Sequence, residues 1–168
     1  MTSSPFRFER LAAAHDRTGF ACEQSSLNDY LQRYAGQNER ADLAACYVAV
    51  AADDHVVVGY YKLSSHGVLR QEVSGEQAKG LPRHDRIPAF LIGRLARDIT
   101  MKGAGLGELL LMDAFVRLAV AEARGRMVVV DPLDERARHF YEKYGFAPLG
   151  GAASRLFLPM SIVRKALA

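Results

Sequence analysis

Residues 87–107 read IPAFLIGRLARDITMKGAGLG, and this stretch decides the fold because it leads from a strand signal into a glycine cluster. Residues 87–96 are strongly apolar and predict a buried β-strand. Gly103, Gly105 and Gly107 follow, and apolar residues then recur at helical spacing over 109–119. A strand, a glycine turn and a helix in this order predict an α/β fold.

The glycine cluster predicts an anion-binding turn at the start of that helix. The first amide groups of a helix have no helical acceptor, and the helix dipole places a partial positive charge beside them. Glycine allows a positive φ angle and a close approach of the backbone to a phosphate. A Walker loop would need Lys and Ser or Thr at its end, whereas Glu108 and Leu109 follow here. A dinucleotide fold would place the glycines after its first strand, so neither nucleotide hydrolysis nor dinucleotide binding is favoured.

The segments before this stretch predict strands around one helix. Phe6, Phe8 and Leu11 predict a short first strand, and residues 45–51 and 56–64 predict an antiparallel hairpin. Ser26 is the predicted N-cap of a helix. The apolar face of that helix is predicted to comprise Leu27, Tyr30, Leu31 and Tyr34.

The segments on either side of the helix over 109–119 complete the pattern. Residues 71–86 predict a long loop, and the helix itself is expected to end near Arg124 and Gly125. The last three predicted elements are a buried strand over 127–130, a helix over 134–144 and at least one strand within 155–163. The sequence therefore predicts a mixed central sheet with helices.

Length and composition predict a single globular domain. The chain has 168 residues, of which 49% are apolar and 24% charged. Its apolar runs fall far short of the roughly 20 residues that cross a bilayer, and the first residues carry no signal-peptide pattern, so a cytoplasmic protein without membrane contact is expected.

Cys22 and Cys46 are too few for a metal or disulfide framework, and no metal is expected. The net charge of +3 suits a solvated surface and a nucleic-acid surface equally.

Three motifs in this order resemble the GNAT superfamily of N-acetyltransferases. They are RLARD at 94–98, KGAGLG at 102–107 and ARHFYEKYGF at 137–146. The resemblance covers nearly the whole chain and implies one GNAT acetyltransferase domain over residues 1–168, with a mixed central β-sheet flanked by α-helices. It also implies an acyltransferase with acetyl-CoA as co-substrate. Lys102 stands where the family usually has Gln or Arg. A lysine here keeps a positive charge but lacks the planar guanidinium with which an arginine binds two phosphate oxygens.

The resemblance implies roles for individual residues. Tyr141 takes the position of the general acid that reprotonates the departing CoA thiolate. The alternative for this residue is a core tyrosine on an amphipathic helix. The backbone of Leu95, Ala96 and Arg97 would pair with the pantetheine arm. The remaining implied cofactor-binding residues are Lys102, Gly103, Ala104, Gly105, Leu106, Gly107, Glu108, Ala137 and Phe140.

No histidine or carboxylate stands out as a general base for the attacking amine. The five histidines are isolated in the sequence. A lysine amine has a pKa of about 10.4 and needs help to lose its proton, whereas an α-amino group titrates at about 8. A substrate with an α-amine could therefore react without a dedicated base, and a water relay is equally compatible.

A finer resemblance is to the TacT-type GNAT toxins of bacterial toxin–antitoxin systems. The segments that carry it are FAC at 20–22, LNDYL at 27–31, VGYYKLS at 58–64, IGRLA at 92–96 and RLFLPM at 155–160. Glu23 replaces the glycine that these toxins usually have after the first segment. The resemblance implies acetylation of the α-amino group of aminoacyl-tRNA, which blocks translation.

This resemblance also implies partners. They are a ribbon-helix-helix antitoxin encoded alongside, a second copy of the chain in a homodimer, and the phosphates of tRNA. The candidates for tRNA contact are Arg33, Arg40, Arg83, Arg86 and Arg94. Two other functions stay open, an N-acetyltransferase for a small-molecule or protein amine and a non-catalytic acyl-CoA-binding module.

Overall fold

The structure, a computed structural model, describes residues 4–81, 86–151 and 154–168. Its strands are β1 (Phe6–Arg10), β2 (Ala45–Ala51), β3 (Val57–Leu69), β4 (Arg86–Arg97), β5 (Met127–Val130), β6 (Ala147–Pro148) and β7 (Leu156–Pro159). Its α-helices are α1 (Ser25–Asp29), α2 (Ala35–Arg40), α3 (Leu106–Ala119), α4 (Glu135–Lys143) and α5 (Met160–Leu167). A π-helical turn (Tyr30–Tyr34) joins α1 to α2, and short 3-10 turns occupy Arg70–Glu72 and Ile99–Met101.

The seven strands form one sheet in the order β1-β2-β3-β4-β5-β7-β6. β2 and β3 pair antiparallel from Ala45↔Leu63 onward, which confirms the predicted hairpin. β4 and β5 pair in parallel from Ala89↔Met127 to Ile92↔Val130, and β7 returns antiparallel to β5. Parallel and antiparallel pairs in one sheet with helices confirm the predicted mixed α/β fold.

The chain divides into two compact units, and the first comprises Met1–Ser64 and Gly93–Val116. Successive residues of β3 point to opposite faces of the sheet. The Tyr60 hydroxyl donates to the Leu27 carbonyl of α1 at 2.7 Å, whereas a side chain at Gly59 would meet Leu106 and Leu110 of α3. Within this unit α1 and α3 therefore cover opposite faces of the sheet.

The second unit comprises Ser65–Ile92 and Arg117–Ala168. All four residues of β5 are buried, as expected for the uninterrupted apolar run at 127–130. The hydrophobic core of the second unit also contains Val68, Ile87, Ala89 and Leu149. In the part of the chain that the structure describes, no helix is both long and apolar enough to span a membrane.

The first helix departs from the prediction at its start and along its face. It begins at Ser25 with Gln24 as N-cap, so the prediction of Ser26 as the cap is wrong. Tyr34 is 51% exposed, whereas Ala35 is fully buried. The cause is the π-helical turn, in which the Ala35 amide bonds to the Tyr30 carbonyl. The wider turn adds a residue and moves the buried position from 34 to 35.

One predicted end in the C-terminal half is also wrong. α3 ends at Ala119 rather than near Arg124, because the chain must return to the sheet where the Arg126 amide donates to the Pro88 carbonyl at 2.7 Å. β7 confirms the strand predicted within 155–163, and α5, which was not predicted, follows it directly. The Met160 amide at the start of α5 donates to the Arg126 carbonyl at 3.0 Å.

Candidate active site

The glycine loop adopts the conformation that its sequence predicts. Gly103 and Gly105 have φ angles of +84° and +76°. This left-handed region strongly favours glycine. A side chain at either position would meet no atom within 4 Å, so backbone conformation rather than packing requires glycine here.

The start of α3 presents backbone donors directly after this loop. The Leu109 amide is the first to bond back along the helix, to the Gly105 carbonyl at 3.2 Å. The amides of Leu106, Gly107 and Glu108 therefore precede the helical ladder and have no helical acceptor. Lys102, Gly103, Ala104, Gly105 and Glu108 are exposed. Donors at a helix N-terminus beside an exposed glycine turn suit an anion such as a pyrophosphate.

The Asp98 carboxylate fixes the backbone between β4 and the glycine loop. Its Oδ1 accepts from the amide and hydroxyl of Thr100, at 2.9 and 2.7 Å, and its Oδ2 accepts from the Ala21 amide at 3.0 Å. Asp98 is buried. Burial raises the pKa of this carboxyl, but these hydrogen bonds outweigh it and bring the pKa below its ordinary value.

Asp98 lies in the RLARD motif at 94–98, and the motif alone assigns it no role. The available signal was the Asp-x-Thr spacing, because Asp side chains commonly bond to the backbone two residues onward. The contact with Ala21 could not be read from spacing, because the two residues are far apart in the chain.

Residues 20–22 are held in turn by side chains of the first helix. Asn28 accepts from the Cys22 amide at 2.8 Å and donates to the Cys22 carbonyl at 3.3 Å. Gln32, one turn later, donates to the Phe20 carbonyl at 2.9 Å. The Ala21 carbonyl accepts from the Ile99 amide at 2.8 Å. The segment therefore ties the first helix to the approach of the glycine loop.

The three residues expected to face the pantetheine arm lie at the end of β4. Leu95, Ala96 and Arg97 follow the part of β4 that pairs with β5. Ala96 is buried in the core of the first unit. Arg97 forms an ion pair of 3.3 Å with Glu23, so the residue that replaces the usual glycine of the toxins has a partner beside this segment.

Tyr141 lies on α4 of the second unit. The Asp134 side chain caps this helix by accepting from the Ala137 amide at 2.8 Å. Tyr141 is 7% exposed, and its ring contacts those of Phe140 and Phe146 with centroids 5.2 and 5.3 Å away. Burial raises the pKa of the phenol above its ordinary value. The phenol is therefore protonated at neutral pH.

The arginines proposed for tRNA contact occupy different elements. Arg33 lies in the π-helical turn and Arg40 at the end of α2, and both are exposed. The Arg94 guanidinium lies 4.4 Å from the ring centroid of Tyr30. Arg86 is exposed at the start of β4 in the second unit. Arg83 lies outside the described residues.

Buried His15 and half-buried His66 have structural partners. Nε2 of His15 donates to Glu9 at 2.7 Å, and Nδ1 accepts from the Ala12 amide at 2.8 Å. His66 accepts from Arg155 at 2.8 Å, and burial together with this arginine lowers the pKa of the imidazole. Among the described residues no group of three or more His, Cys, Asp or Glu side chains is arranged to hold a metal ion.

Comparison with known proteins finds close relatives in sequence. A probable toxin TacT of Sinorhizobium fredii is 32% identical over 159 residues, covering 89% of this chain and 88% of the relative. A tRNA-acetylating toxin of Mycobacterium tuberculosis is 36% identical over 139 residues, covering 82% of this chain and 81% of the relative. No protein-family model matches the chain.

Solved structures similar to this chain are toxins in several bound states. A tyrosine-to-phenylalanine mutant of KacT gives a TM-score of 0.90 with 27% identity, over 97% of this chain and 99% of the other. AtaT complexed with acetyl-methionyl-tRNAfMet gives a TM-score of 0.88 with 27% identity, over 97% of this chain and 99% of the other. AtaTR bound with AcCoA gives a TM-score of 0.85 with 27% identity, over 98% of this chain and 99% of the other. A tyrosine-to-phenylalanine mutant of AtaT bound to the C-terminus of the antitoxin AtaR gives 0.83 with 25% identity, over 98% and 99%.

Replacing Asp98 with Asn is expected to destabilise the fold by about 1–3 kcal/mol, because an amide cannot accept from all three donors. Since hydrogen bonding lowers the folded pKa of Asp98, its contribution is present above the unfolded pKa of about 4 and is lost as pH falls through the folded value. Urea unfolding of both proteins between pH 7 and pH 3 measures the difference, which should shrink at the acid end. Asp53→Asn, an equal charge change in an exposed turn, is the control. An Asp98→Asn protein as stable as wild type at pH 7 would contradict this role.

Proposed function

Because the chain belongs to the TacT-like family of tRNA-acetylating toxins, we propose that it transfers the acetyl group of acetyl-CoA to the α-amino group of aminoacyl-tRNA and thereby blocks translation. The observation that carries this proposal is the glycine loop at the start of α3, with positive φ angles at Gly103 and Gly105. That loop provides the anion site that a CoA pyrophosphate needs.

We propose that backbone amides do most of the work of binding the pyrophosphate. The donors are the amides of Leu106, Gly107 and Glu108, and Lys102 adds a point charge without the bidentate fork of an arginine. The hydrogen bonds of Asp98 support this role because they fix the backbone on the approach to the loop. The backbone of Leu95, Ala96 and Arg97 is proposed to pair with the pantetheine arm. Ala137 and Phe140 are proposed to complete the cofactor contacts from α4.

The transfer itself needs one proton donor. The neutral amine attacks the thioester carbonyl carbon, a C–N bond forms, and the C–S bond then breaks with its electron pair on sulfur. We propose that the phenol of Tyr141 donates a proton to the departing thiolate, while the amine releases a proton to water. Burial keeps the phenol in its neutral form at neutral pH, so the proton that this role requires is present on the group.

The absence of a marked base in the sequence fits an α-amine as acceptor. His15 and His66 are both engaged in structural hydrogen bonds. An α-amino group titrates at about 8, so a substantial fraction is neutral without assistance. The ester-linked amino acid on tRNA carries such a group, whereas a lysine side chain would require a base.

We propose three further properties from the family. The chain forms a homodimer, is held inactive by a ribbon-helix-helix antitoxin, and acts in the cytoplasm where aminoacyl-tRNA is used. The complex of AtaT with the C-terminus of AtaR supports the antitoxin partner. We propose that Arg33, Arg40, Arg86 and Arg94 contact tRNA phosphates. The organisation as a single acetyltransferase domain stays a prediction, as does a role for Arg83.

The function is tested with labelled acetyl-CoA and charged tRNA. We expect label to appear on the amino group of the aminoacyl ester, and expression of the chain alone to arrest bacterial growth. Spermidine and a lysine-containing peptide serve as alternative amine acceptors under the same conditions. Label on these amines and on no charged tRNA would replace the proposed function with that of a small-molecule or protein acetyltransferase.

Replacing Tyr141 with Phe removes the proposed proton donor and leaves the ring packing unchanged. The turnover number is expected to fall by roughly 10²- to 10⁴-fold with little change in the KM for acetyl-CoA. Tyr144→Phe, on the same helix, is the matched control and should keep its rate. An unaltered turnover number in Tyr141→Phe would remove this phenol from the mechanism.

Replacing Gly105 with Ala tests the loop conformation. Alanine is disfavoured at positive φ by about 1–2 kcal/mol, so the KM for acetyl-CoA should rise by roughly five- to thirtyfold as the amides move. Gly75→Ala is the control, because a side chain there also meets nothing within 4 Å and φ is not positive. Equal KM values for the two variants would show that the loop conformation is immaterial to cofactor binding.

A further inference from the structure

Two cationic side chains of the first unit share one aromatic ring. Arg94 on β4 places its guanidinium carbon 4.4 Å from the ring centroid of Tyr30, and Lys62 on β3 places its Nζ 5.2 Å from the same centroid. Both distances are within the range in which a cation is attracted to a ring face. The ring therefore holds two positive charges close to each other.

The Tyr30 ring is fixed from several directions. It stacks on the ring of Tyr60, with centroids 6.2 Å apart and an interplanar angle of 16°. Its hydroxyl accepts from the Asn38 amide group at 2.8 Å. Tyr60 is itself held by its hydrogen bond to the Leu27 carbonyl at 2.7 Å. The platform beneath the two cations is therefore rigid, which lowers the entropy cost of presenting them together.

The two charges have no carboxylate partner among the residues that the structure describes. Over residues 4–81, 86–151 and 154–168, neither Lys62 nor Arg94 forms an ion pair. Burial and the neighbouring charge of Arg94 lower the pKa of Lys62 below its ordinary value. Two adjacent cations that are partly withdrawn from water gain most from an external anion, since an anion removes their mutual repulsion.

The absence of a side chain at Gly93 provides the room that the Lys62 side chain occupies. A side chain at Gly93 would place its Cβ 3.3 Å from Cδ of Lys62. The stem of Lys62 therefore runs across the backbone of β4 beside Arg94. This arrangement brings the two cationic ends to the same face of the sheet as α1.

The location of the pair within the chain indicates which anion it binds. Arg94 directly precedes Leu95, Ala96 and Arg97, and adjacent strand residues are about 3.3 Å apart. An anion held by Arg94 is therefore a short distance from the segment proposed to hold the pantetheine arm. In an aminoacyl-tRNA the phosphate closest to the reacting amine is the one that joins the last two nucleotides.

We propose that Lys62 and Arg94, held over the Tyr30 ring, bind the phosphodiester that joins the last two nucleotides of the tRNA acceptor end. This inference rests on the proposed function and deepens it. The Arg94 guanidinium can donate to both free oxygens of a phosphate, and Lys62 adds a second charge from the neighbouring strand. The site would bring the aminoacyl group to the thioester in a fixed register.

The test compares two small acceptors in place of whole tRNA. One is a stable 3′-aminoacylamino-adenosine without phosphate, and the other is the same nucleoside joined to a 5′ cytidine through one phosphodiester. The variants are Lys62→Gln and Arg94→Gln, with Arg94→Lys as the conservative replacement. Arg164→Gln, an equal charge change on the exposed side of α5, controls for long-range electrostatics.

We expect Lys62→Gln and Arg94→Gln each to raise the KM for the dinucleotide acceptor by about tenfold, which is the range for loss of a charged hydrogen bond. The KM for the phosphate-free nucleoside and the turnover number on it should stay at the wild-type level, which also shows that the variants fold. Arg94→Lys should recover most of the loss, and Arg164→Gln should behave as wild type on both acceptors.

Two outcomes would overturn the inference alone. The first is a dinucleotide KM that neither variant changes, and the second is an equal increase for both acceptors. Where the KM is unchanged, weaker binding of the antitoxin C-terminal peptide by the variants would assign the cations to a carboxylate of the antitoxin. A wild-type protein that acetylates neither acceptor nor charged tRNA would remove the proposed function itself, and this result is distinguishable from the other two.

Discussion

Backbone donors from two distant parts of the first unit converge on the carboxylate of Asp98. Thr100 lies at the start of the turn that leads to the glycines, and Ala21 lies in the segment that Asn28 and Gln32 hold against the first helix. A carboxylate accepts several hydrogen bonds at once. In a buried position these bonds are stronger than bonds to a neutral acceptor. This carboxylate and the backbone bond from Ile99 to Ala21 set where the N-terminus of α3 lies, because the glycines that follow have no side chains with which to make contacts.

The two groups proposed for the reaction have different physical origins. The proposed anion site at α3 rests on backbone geometry, since amide groups and a helix dipole act regardless of side-chain identity. The proton on Tyr141 is retained because burial among aromatic rings disfavours the phenolate. A backbone site is insensitive to pH, whereas the phenol is kept in one protonation state over the whole physiological range. Each therefore performs its proposed task without a second titrating group.

Features with a local cause were predictable from the sequence. The buried strand β5, the hairpin of β2 and β3, the positive φ angles of Gly103 and Gly105 and the helix that carries Tyr141 each follow from spacing within a few residues. Features that join distant segments were not. Asp98 meets Ala21, and Lys62 meets Tyr30 and Gly93, only after the strands have paired. The end of α3 and the start of α5 were missed for the same reason, since backbone bonds of Arg126 set where the chain returns to the sheet.

The wide helical turn over Tyr30–Tyr34 has a consequence for how this family can vary. Where a helix carries one extra residue, a widened turn absorbs it and lets the flanking turns keep their buried faces. Loss of one residue between Tyr30 and Ala35 would close this turn to an ordinary α-helical one and leave Ala35 in its buried position. The turn is therefore the place in this helix where the chain length can change by one residue without repacking the core.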